Sequence, residues 1–333
     1  MEIYKNSILI TLKIIFLSFS LSKCKSIEIQ QMQHCQSQKI QSIIDSIKIS
    51  ENQWLAIQMN PFLKDYRNEF LNQSKIYLIE LKKSSFEYTE IPIMNRDDYP
   101  LKPVSIAYDN KKKEIFLLNI ALKTQRSIEI YELKNKSLIY KNRFRSPKFK
   151  NLISITIFKD QMVGLNYNGF SIFFWRKGVL FIKKDSKGFE YILEKARYAT
   201  KLKAINDKLF VVVPKEKKIL MFDENFNFYR QLNFDEYPLD IEFFMDNYLI
   251  SLSKKYLNVF EGLEVDEIKS LDTYFYIISR NDLDYKESFR KNESFIKKLK
   301  LRNFYSHSFF SYQSMKLNLF LHHYSLSSII CEI

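Results

Sequence analysis

Glycine is scarce in this chain, which has only five glycines among 333 residues. It contains no G-x-G-x-x-G, G-x-x-x-x-G-K-[ST] or G-x-S-x-G segment. These absences exclude the glycine-rich loops that cradle phosphates and dinucleotides, and the nucleophile elbow of serine hydrolases. Because Asn, Asp, Lys, Ser and Pro must then form the turns, we expect turns at Asp109-Asn110, Asn206-Asp207 and Asp246-Asn247.

The charge is strongly positive, with 52 Lys and Arg against 38 Asp and Glu and a net charge of +14. Lys, Ile, Asn, Phe and Tyr are all abundant, which is typical of an AT-rich coding sequence. We interpret the charge as a consequence of that bias, and the alternative is a polyanion-binding surface. There is no nucleic-acid-binding motif, so a nucleic-acid partner is not expected.

The amino terminus has the pattern of a targeting segment. Residues 1–22 contain Lys5 and then an apolar run over residues 8–21 that is interrupted only by Lys13. The run is shorter than the roughly 20 residues that span a bilayer. Residues 1–23 are therefore predicted to be a signal peptide, or an uncleaved leader that associates with a membrane. We expect a secreted chain, or one in the secretory pathway that the leader anchors.

Three sequons predict glycosylation of a secreted chain. They begin at Asn72, Asn135 and Asn292, although such triplets are common by chance in an Asn-rich sequence.

Six pairs of β-type runs recur along the chain. The first run of a pair is apolar and follows a polar turn, as in residues 113–120 and 207–213, and the second often alternates apolar and polar residues, as in 126–133. A repeat of this kind is typical of a β-propeller, in which each four-stranded blade contributes one pair. Residues 27–333 are therefore predicted to form a single six-bladed β-propeller, and an all-β sandwich is the alternative.

Cysteine is also scarce, and two of the three cysteines lie near the ends of the predicted propeller. Cys24 lies beside the leader, whereas Cys35 and Cys331 flank the repeats. A Cys35–Cys331 disulfide would suit a closed ring in an oxidising compartment. The alternative is two unpaired buried thiols.

The chain resembles the paraoxonase family of calcium-dependent arylesterases and lactonases. The resemblance runs in order along nearly the whole chain. It lies in residues 35–40 (CQSQKI), 45–50 (DSIKIS), 54–57 (WLAI), 74–81 (SKIYLIEL), 104–109 (VSIAYD), 115–118 (IFLL), 127–133 (SIEIYEL), 164–168 (GLNYN) and 330–333 (ICEI). It implies an all-β, six-bladed propeller of four-stranded blades, closed between its N- and C-terminal segments by the Cys35–Cys331 disulfide.

The same resemblance implies a calcium site at the centre of the ring. It places Asp45, Asn166 and Asp240 at ligands of the catalytic Ca²⁺, an ion that takes about 6 to 8 oxygen ligands. Ser46 and Tyr167 replace the acids expected for a second, structural Ca²⁺, so that second site is predicted to be lost.

The catalytic histidines of the family are missing. Lys102 and Ala121 stand at their positions, and no general base is identified. Two functions therefore remain as hypotheses. The first is a divergent calcium-dependent hydrolase of small aryl esters or lactones. The second is a catalytically silent propeller that binds a protein or a glycan.

Overall fold

The structure is a computed structural model of an all-β propeller. It describes residues 29–31, 33–38, 43–58, 74–82, 85–98, 101–120, 126–166, 169–176, 179–185, 199–244, 246–256, 272–280, 283, 295–301, 306–313, 317–323 and 328–332. The predicted leader, residues 1–23, lies outside these residues. Within the described part of the chain, no helix has the length and apolar character needed to cross a membrane.

The described elements with defined bounds are β-strands and short turns of 3-10 helix at Pro147–Phe149 and Pro214–Glu216, and Arg280 and Leu283 are also helical. The strands are β1 (Ile29–Gln31), β2 (Gln33–Gln38), β3 (Ile43–Ser50), β4 (Gln53–Gln58), β5 (Lys75–Lys82), β6 (Ser85–Glu90), β7 (Ile93–Met94), β8 (Pro103–Asp109), β9 (Glu114–Asn119), β10 (Ser127–Lys134), β11 (Ser137–Arg145), β12 (Leu152–Phe158), β13 (Gln161–Asn166), β14 (Gly169–Arg176), β15 (Val179–Asp185), β16 (Lys201–Ile205), β17 (Lys208–Val213), β18 (Lys218–Phe222), β19 (Phe228–Asn233), β20 (Tyr237–Phe244), β21 (Asn247–Ser253), β22 (Thr273–Ser279), β23 (Phe295–Leu301), β24 (Ser306–Gln313), β25 (Leu317–His323) and β26 (Ser328–Glu332).

These strands form six sheets. Four sheets have the predicted four antiparallel strands, in the orders β3-β4-β5-β6, β12-β13-β14-β15, β16-β17-β18-β19 and β2-β26-β25-β24. The other two sheets differ from the prediction because a short parallel strand adds a fifth: β7 pairs with β11, and β1 pairs with β23.

One edge strand of each sheet faces the centre of the molecule. In the series β3, β8, β12, β16, β20 and β24, each strand contacts the next, and β24 contacts β3. We call these the innermost strands. Since they make a closed circle, the sheets radiate from a common centre, as in a propeller and unlike the two stacked sheets of the alternative sandwich.

The predicted apolar runs lie next to the innermost strands in their sheets and form the core. In β9 and β17, for example, Phe116, Leu117, Phe210 and Val211 are fully buried. The partner runs at 74–81, 126–133, 217–223 and 328–333 fall on strands that pair directly with these apolar strands. One predicted partner was wrong, because β13 pairs with β14 and not with the strand over 178–184. β21 pairs with β22, and the partner run predicted at 256–261 lies, except for residue 256, outside the described residues.

Asn, Asp and Lys form the turns, as the shortage of glycine predicts. Positive φ angles occur in pairs at Asn135-Lys136, Lys159-Asp160 and Asn206-Asp207, and also at Asp246. Two consecutive residues with positive φ match the twist of a tight hairpin. Asp109 instead stabilises its turn with its side chain, which accepts hydrogen bonds from the backbone N–H groups of Lys111 and Lys112 at 3.0 and 3.1 Å.

Candidate functional site

Five of the six innermost strands have a β-bulge near their starting end. The pairing register shifts between residues 43 and 45, 103 and 105, 152 and 154, 238 and 240, and 306 and 308. A bulge re-aims the side chain that follows it. The residues after the shifts are all polar: Asp45, Ser105, Ser154, Asp240 and Ser308. β16 has no shift, and its first residue, Lys201, pairs opposite Val212.

Hydrogen bonds between these polar residues connect one sheet to the next. The Asp45 Oδ2 atom accepts from the Ser105 hydroxyl at 2.9 Å and from the Ile106 N–H at 3.1 Å. Ser105 Oγ in turn accepts from the Ile155 N–H at 3.1 Å, and Ser154 Oγ accepts from the Leu202 N–H at 3.3 Å. The polar residues after the bulges therefore link the sheets of β3, β8, β12 and β16 in succession around the ring.

Asp240 continues this ring with lysines as its partners. It is fully buried, and its Oδ2 atom accepts from Lys201 Nζ at 3.0 Å. Lys203 Nζ lies 3.7 Å from Oδ1, which also accepts from the Ile241 N–H at 2.9 Å. Burial alone would raise the pKa of Asp240, but the charges of Lys201 and Lys203 outweigh it and hold this pKa below its usual range. Asp240 is therefore ionised.

Lys203 lies among several carboxylates. Its Nζ atom is also 3.8 Å from Glu242 Oε2. Burial opposes its positive charge, but the charges of Asp240, Glu242 and Asp45 outweigh burial and raise the pKa of Lys203. The pKa of Glu242 is raised as well, first by burial and then by the like charge of Asp240, against the effect of Lys203.

Apolar residues are skipped in four of the five register shifts. Ile44, Val104 and Leu239 belong to one buried apolar cluster and Ile153 to another, whereas the residue skipped on β24 is His307. The side chains of Lys203 and Glu242, further along their strands, are 15% and 28% exposed, whereas that of Asp240 is 0% exposed. The centre of the ring is therefore closed at the bulge end and is more accessible to solvent further along the strands.

The structure brings two of the three predicted calcium ligands into corresponding positions. Asp45 and Asp240 both follow a bulge on an innermost strand. Asn166 instead ends β13, a second strand, where it pairs opposite Leu152 at the bulge end of the ring. Ser46, predicted to replace an acid ligand, donates its backbone N–H to Asp45 Oδ1 at 3.0 Å. Tyr167, at the other such position, lies outside the described residues.

The donor set does not fit calcium. The Asp45 and Asp240 oxygens already accept hydrogen bonds from the chain, and two lysine ammonium groups face Asp240. In the part of the chain that the structure describes, no group of three or more His, Cys, Asp and Glu is placed to hold a metal ion. A Ca²⁺ among these carboxylates would lie beside the positive charge of Lys203, which opposes its binding.

The remaining predicted positions are only partly described. The backbone N–H of Lys102 donates to Asn119 Oδ1 at 2.8 Å, whereas Ala121, Asn72 and Asn292 lie outside the described residues. Asn135 is exposed in the turn between β10 and β11, as a glycosylation site requires. Cys35 and Cys331 are directly paired across the antiparallel strands β2 and β26.

Sequence reasoning missed Lys201, Lys203 and Glu242. A signal was present in the sequence: Lys201-x-Lys203 and Asp240-x-Glu242 each place two like charges on one face of a strand, with opposite signs on the two strands. That these strands are neighbours follows only from the closure of the ring.

Comparisons with known proteins give no family. No family model matches the chain, and no curated protein matches it. A putative 6-phosphogluconolactonase from Bacteroides uniformis is 8% identical, with a TM-score of 0.49 over 86% of this chain and 79% of that one. The β-propeller domain of Cps50 (Swd1) from Myceliophteria thermophila is 7% identical, with a TM-score of 0.49 over 90% and 99%. The WD40 propeller domain of Doa1 is 9% identical, with a TM-score of 0.44 over 90% and 96%. These likenesses concern fold alone, and the propeller assignment rests on the arrangement of the sheets.

Proposed function

We propose that this chain is a catalytically silent β-propeller that binds a protein partner. One observation carries the proposal: the carboxylates that the resemblance assigns to a catalytic metal contact groups of the chain itself. Asp45 contacts Ser105 and the backbone, and Asp240 contacts Lys201 and Lys203. A metal-dependent ester hydrolase needs those oxygens for its metal. What the arrangement supports instead is a rigid ring that presents its surfaces.

Even if the positive charge arose from coding bias, it acts on any partner that approaches the chain. A net charge of +14 attracts acidic surfaces and speeds association with them. We therefore expect the partner to contact the propeller through an acidic surface, and its affinity to fall as the salt concentration rises.

Hydrolysis assays test the silent propeller. The purified chain should hydrolyse phenyl acetate and small lactones no faster than the buffer does, with or without added Ca²⁺. The variants Asp240→Asn and Asn166→Ala should give the same background rate. Calcium-dependent hydrolysis by the wild type that Asp240→Asn abolishes would contradict the proposal.

A divergent calcium-dependent arylesterase or lactonase is the second candidate. The observation that favours it is the placement of Asp45 and Asp240 at corresponding bulges, with their charges acting on the same lysine. In this alternative, small esters or lactones would enter the ring from one end. The assays above separate the two candidates.

We also propose that the six sheets are six blades of one closed ring. In the blade formed by β2, β26, β25 and β24, a Cys35–Cys331 disulfide would join β2 to β26. The support is the circle of innermost strands and the direct pairing of the two cysteines. A signal peptide or anchoring leader at residues 1–23, passage through the secretory pathway and glycosylation at Asn72, Asn135 and Asn292 belong to the same proposal. These parts of the proposal agree with one another, because disulfides form and persist in the oxidising compartments through which exported chains pass.

A further inference from the structure

The neighbouring innermost strands β16 and β20 carry complementary charges at matching positions. Lys201 and Lys203 are two residues apart on β16, and Asp240 and Glu242 are two residues apart on β20. Alternate residues of a strand share one face. The ion pairs from Lys201 and Lys203 to Asp240, and from Lys203 to Glu242, show that these two faces meet inside the ring.

Lys203 contacts both carboxylates of β20. Its ammonium lies 3.7 Å from Asp240 Oδ1 and 3.8 Å from Glu242 Oε2. The negative charge of Asp45, on β3, also raises the pKa of Lys203, although β3 is not a neighbour of β16 in the circle of innermost strands. The Lys203 ammonium therefore lies beside two carboxylates of the next blade.

We propose that the Lys203 ammonium is the structural cation at the centre of this ring, in place of the divalent ion that the resemblance predicts. Asp240, which is fully buried, and Glu242, which is partly exposed, converge on this ammonium, and a buried carboxylate needs an ion of opposite charge. Lys203 supplies that charge from within the chain. The ring consequently needs no metal to be stable, and it repels one. This inference goes beyond the proposed function and holds whether or not the propeller has a partner.

Substitution of Lys203 tests the assignment. Lys203→Met keeps most of the side-chain length and removes the charge, so Glu242 loses this contact and Asp240 keeps Lys201 as its cation. Lys203→Ala also vacates the space that a metal ion would need. Lys111→Ala is the matched control, because Lys111 forms its ion pair with Asp160 at the surface, where its side chain is 74% exposed.

The readout is the Tm of the purified full chain in EDTA and in millimolar Ca²⁺. The wild type is expected to have the same Tm in both. Lys203→Met is expected to lower the Tm by roughly 5 °C or more, whereas Lys111→Ala should leave it nearly unchanged. In Lys203→Ala, added Ca²⁺ should raise the Tm, since a ligand that binds only the folded state stabilises it.

A wild-type Tm that rises with Ca²⁺ and falls with EDTA would overturn the proposal, and so would Lys203→Met unfolding at the wild-type temperature. The wild-type comparison decides the matter even if neither variant folds.

Discussion

Glu129 is the most heavily hydrogen-bonded carboxylate in the described part of the chain. It is fully buried on β10 and accepts from Arg96 at 2.9 and 3.1 Å, from Asn119 at 2.8 Å and from Arg143 at 3.1 Å. The Tyr131 hydroxyl donates to it as well. The network joins β9, β10 and β11 to the segment after β7. A buried carboxylate is stable only with partners of this kind.

We predict that Glu129→Gln destabilises the chain by roughly 3–5 kcal/mol at neutral pH, because the buried Arg96 guanidinium loses its counter-charge and Arg143 keeps only Asp97. Burial alone would raise the pKa of Glu129, but hydrogen bonds from Arg96, Tyr131 and Asn119 hold this pKa below its ordinary value of 4.5. A carboxyl group whose pKa is lower in the folded state stabilises the fold above its unfolded pKa, and that contribution is lost as the pH falls through the folded value.

Urea unfolding of the wild type and of Glu129→Gln over a series of pH values measures this effect. The difference in unfolding free energy should be constant at neutral pH and should shrink below about pH 4.5. Glu87→Gln is the control, since Glu87 is half-exposed in its ion pair with Lys82 and should change stability by about 1 kcal/mol or less. A difference that does not change with pH would refute the role of the ionised carboxylate.

At the scale of the elements, the main feature of this ring is the β-bulge near the start of five innermost strands. Asp45, Ser105 and Ser154 follow three of the bulges and contact the next sheet, and the skipped residues Ile44, Val104 and Leu239 pack in one apolar cluster. The same local irregularity therefore links neighbouring sheets and buries apolar side chains.

We predict that Leu239→Ala costs roughly 2–5 kcal/mol, the usual range for truncating a fully buried leucine. Urea unfolding gives the value. Met94→Ala is the comparison, because Met94 is 47% exposed and its truncation should have little effect. If Leu239→Ala unfolds at the wild-type urea concentration, Leu239 does not pack in the centre of the ring.

The sequence predicts strands better than it predicts this site, for a physical reason. Apolar runs such as 113–120 and 207–213 are recognisable because a strand buried on both faces has a local pattern. A bulge adds a single residue and leaves almost no pattern. The partners of Glu129 are 33, 10 and 14 residues away along the chain, at Arg96, Asn119 and Arg143. Asp240 was predicted as a ligand, but its lysine partners depend on which blades are neighbours.

At the scale of the whole molecule, one sheet combines segments from distant parts of the chain. β2 pairs with β26, which follows β24 and β25, so a strand near the beginning of the chain completes the sheet formed by its last described strands. β1 adds to β23 of the preceding sheet. A ring closed in this way opens if the β2–β26 pairing is lost, and the closure is therefore the point at which a covalent bond would stabilise most.

We predict that Cys35 and Cys331 form that bond. The two residues are directly opposite in an antiparallel pair, where Cα atoms are about 4.5–5.5 Å apart, and disulfides span Cα distances of about 4.4–6.8 Å. The bond would enclose nearly the whole described chain, and loops of that length are expected to contribute roughly 2–5 kcal/mol.

Cys331→Ser and a reducing agent should therefore lower the Tm to the same extent. Cys24→Ser, beside the predicted leader, is the control and should leave the Tm unchanged. Thiol titration of the unreduced, denatured chain separates this prediction from its alternative: no reactive thiol at Cys35 and Cys331 supports the bond, and two free thiols there would mean that strand pairing alone closes the ring.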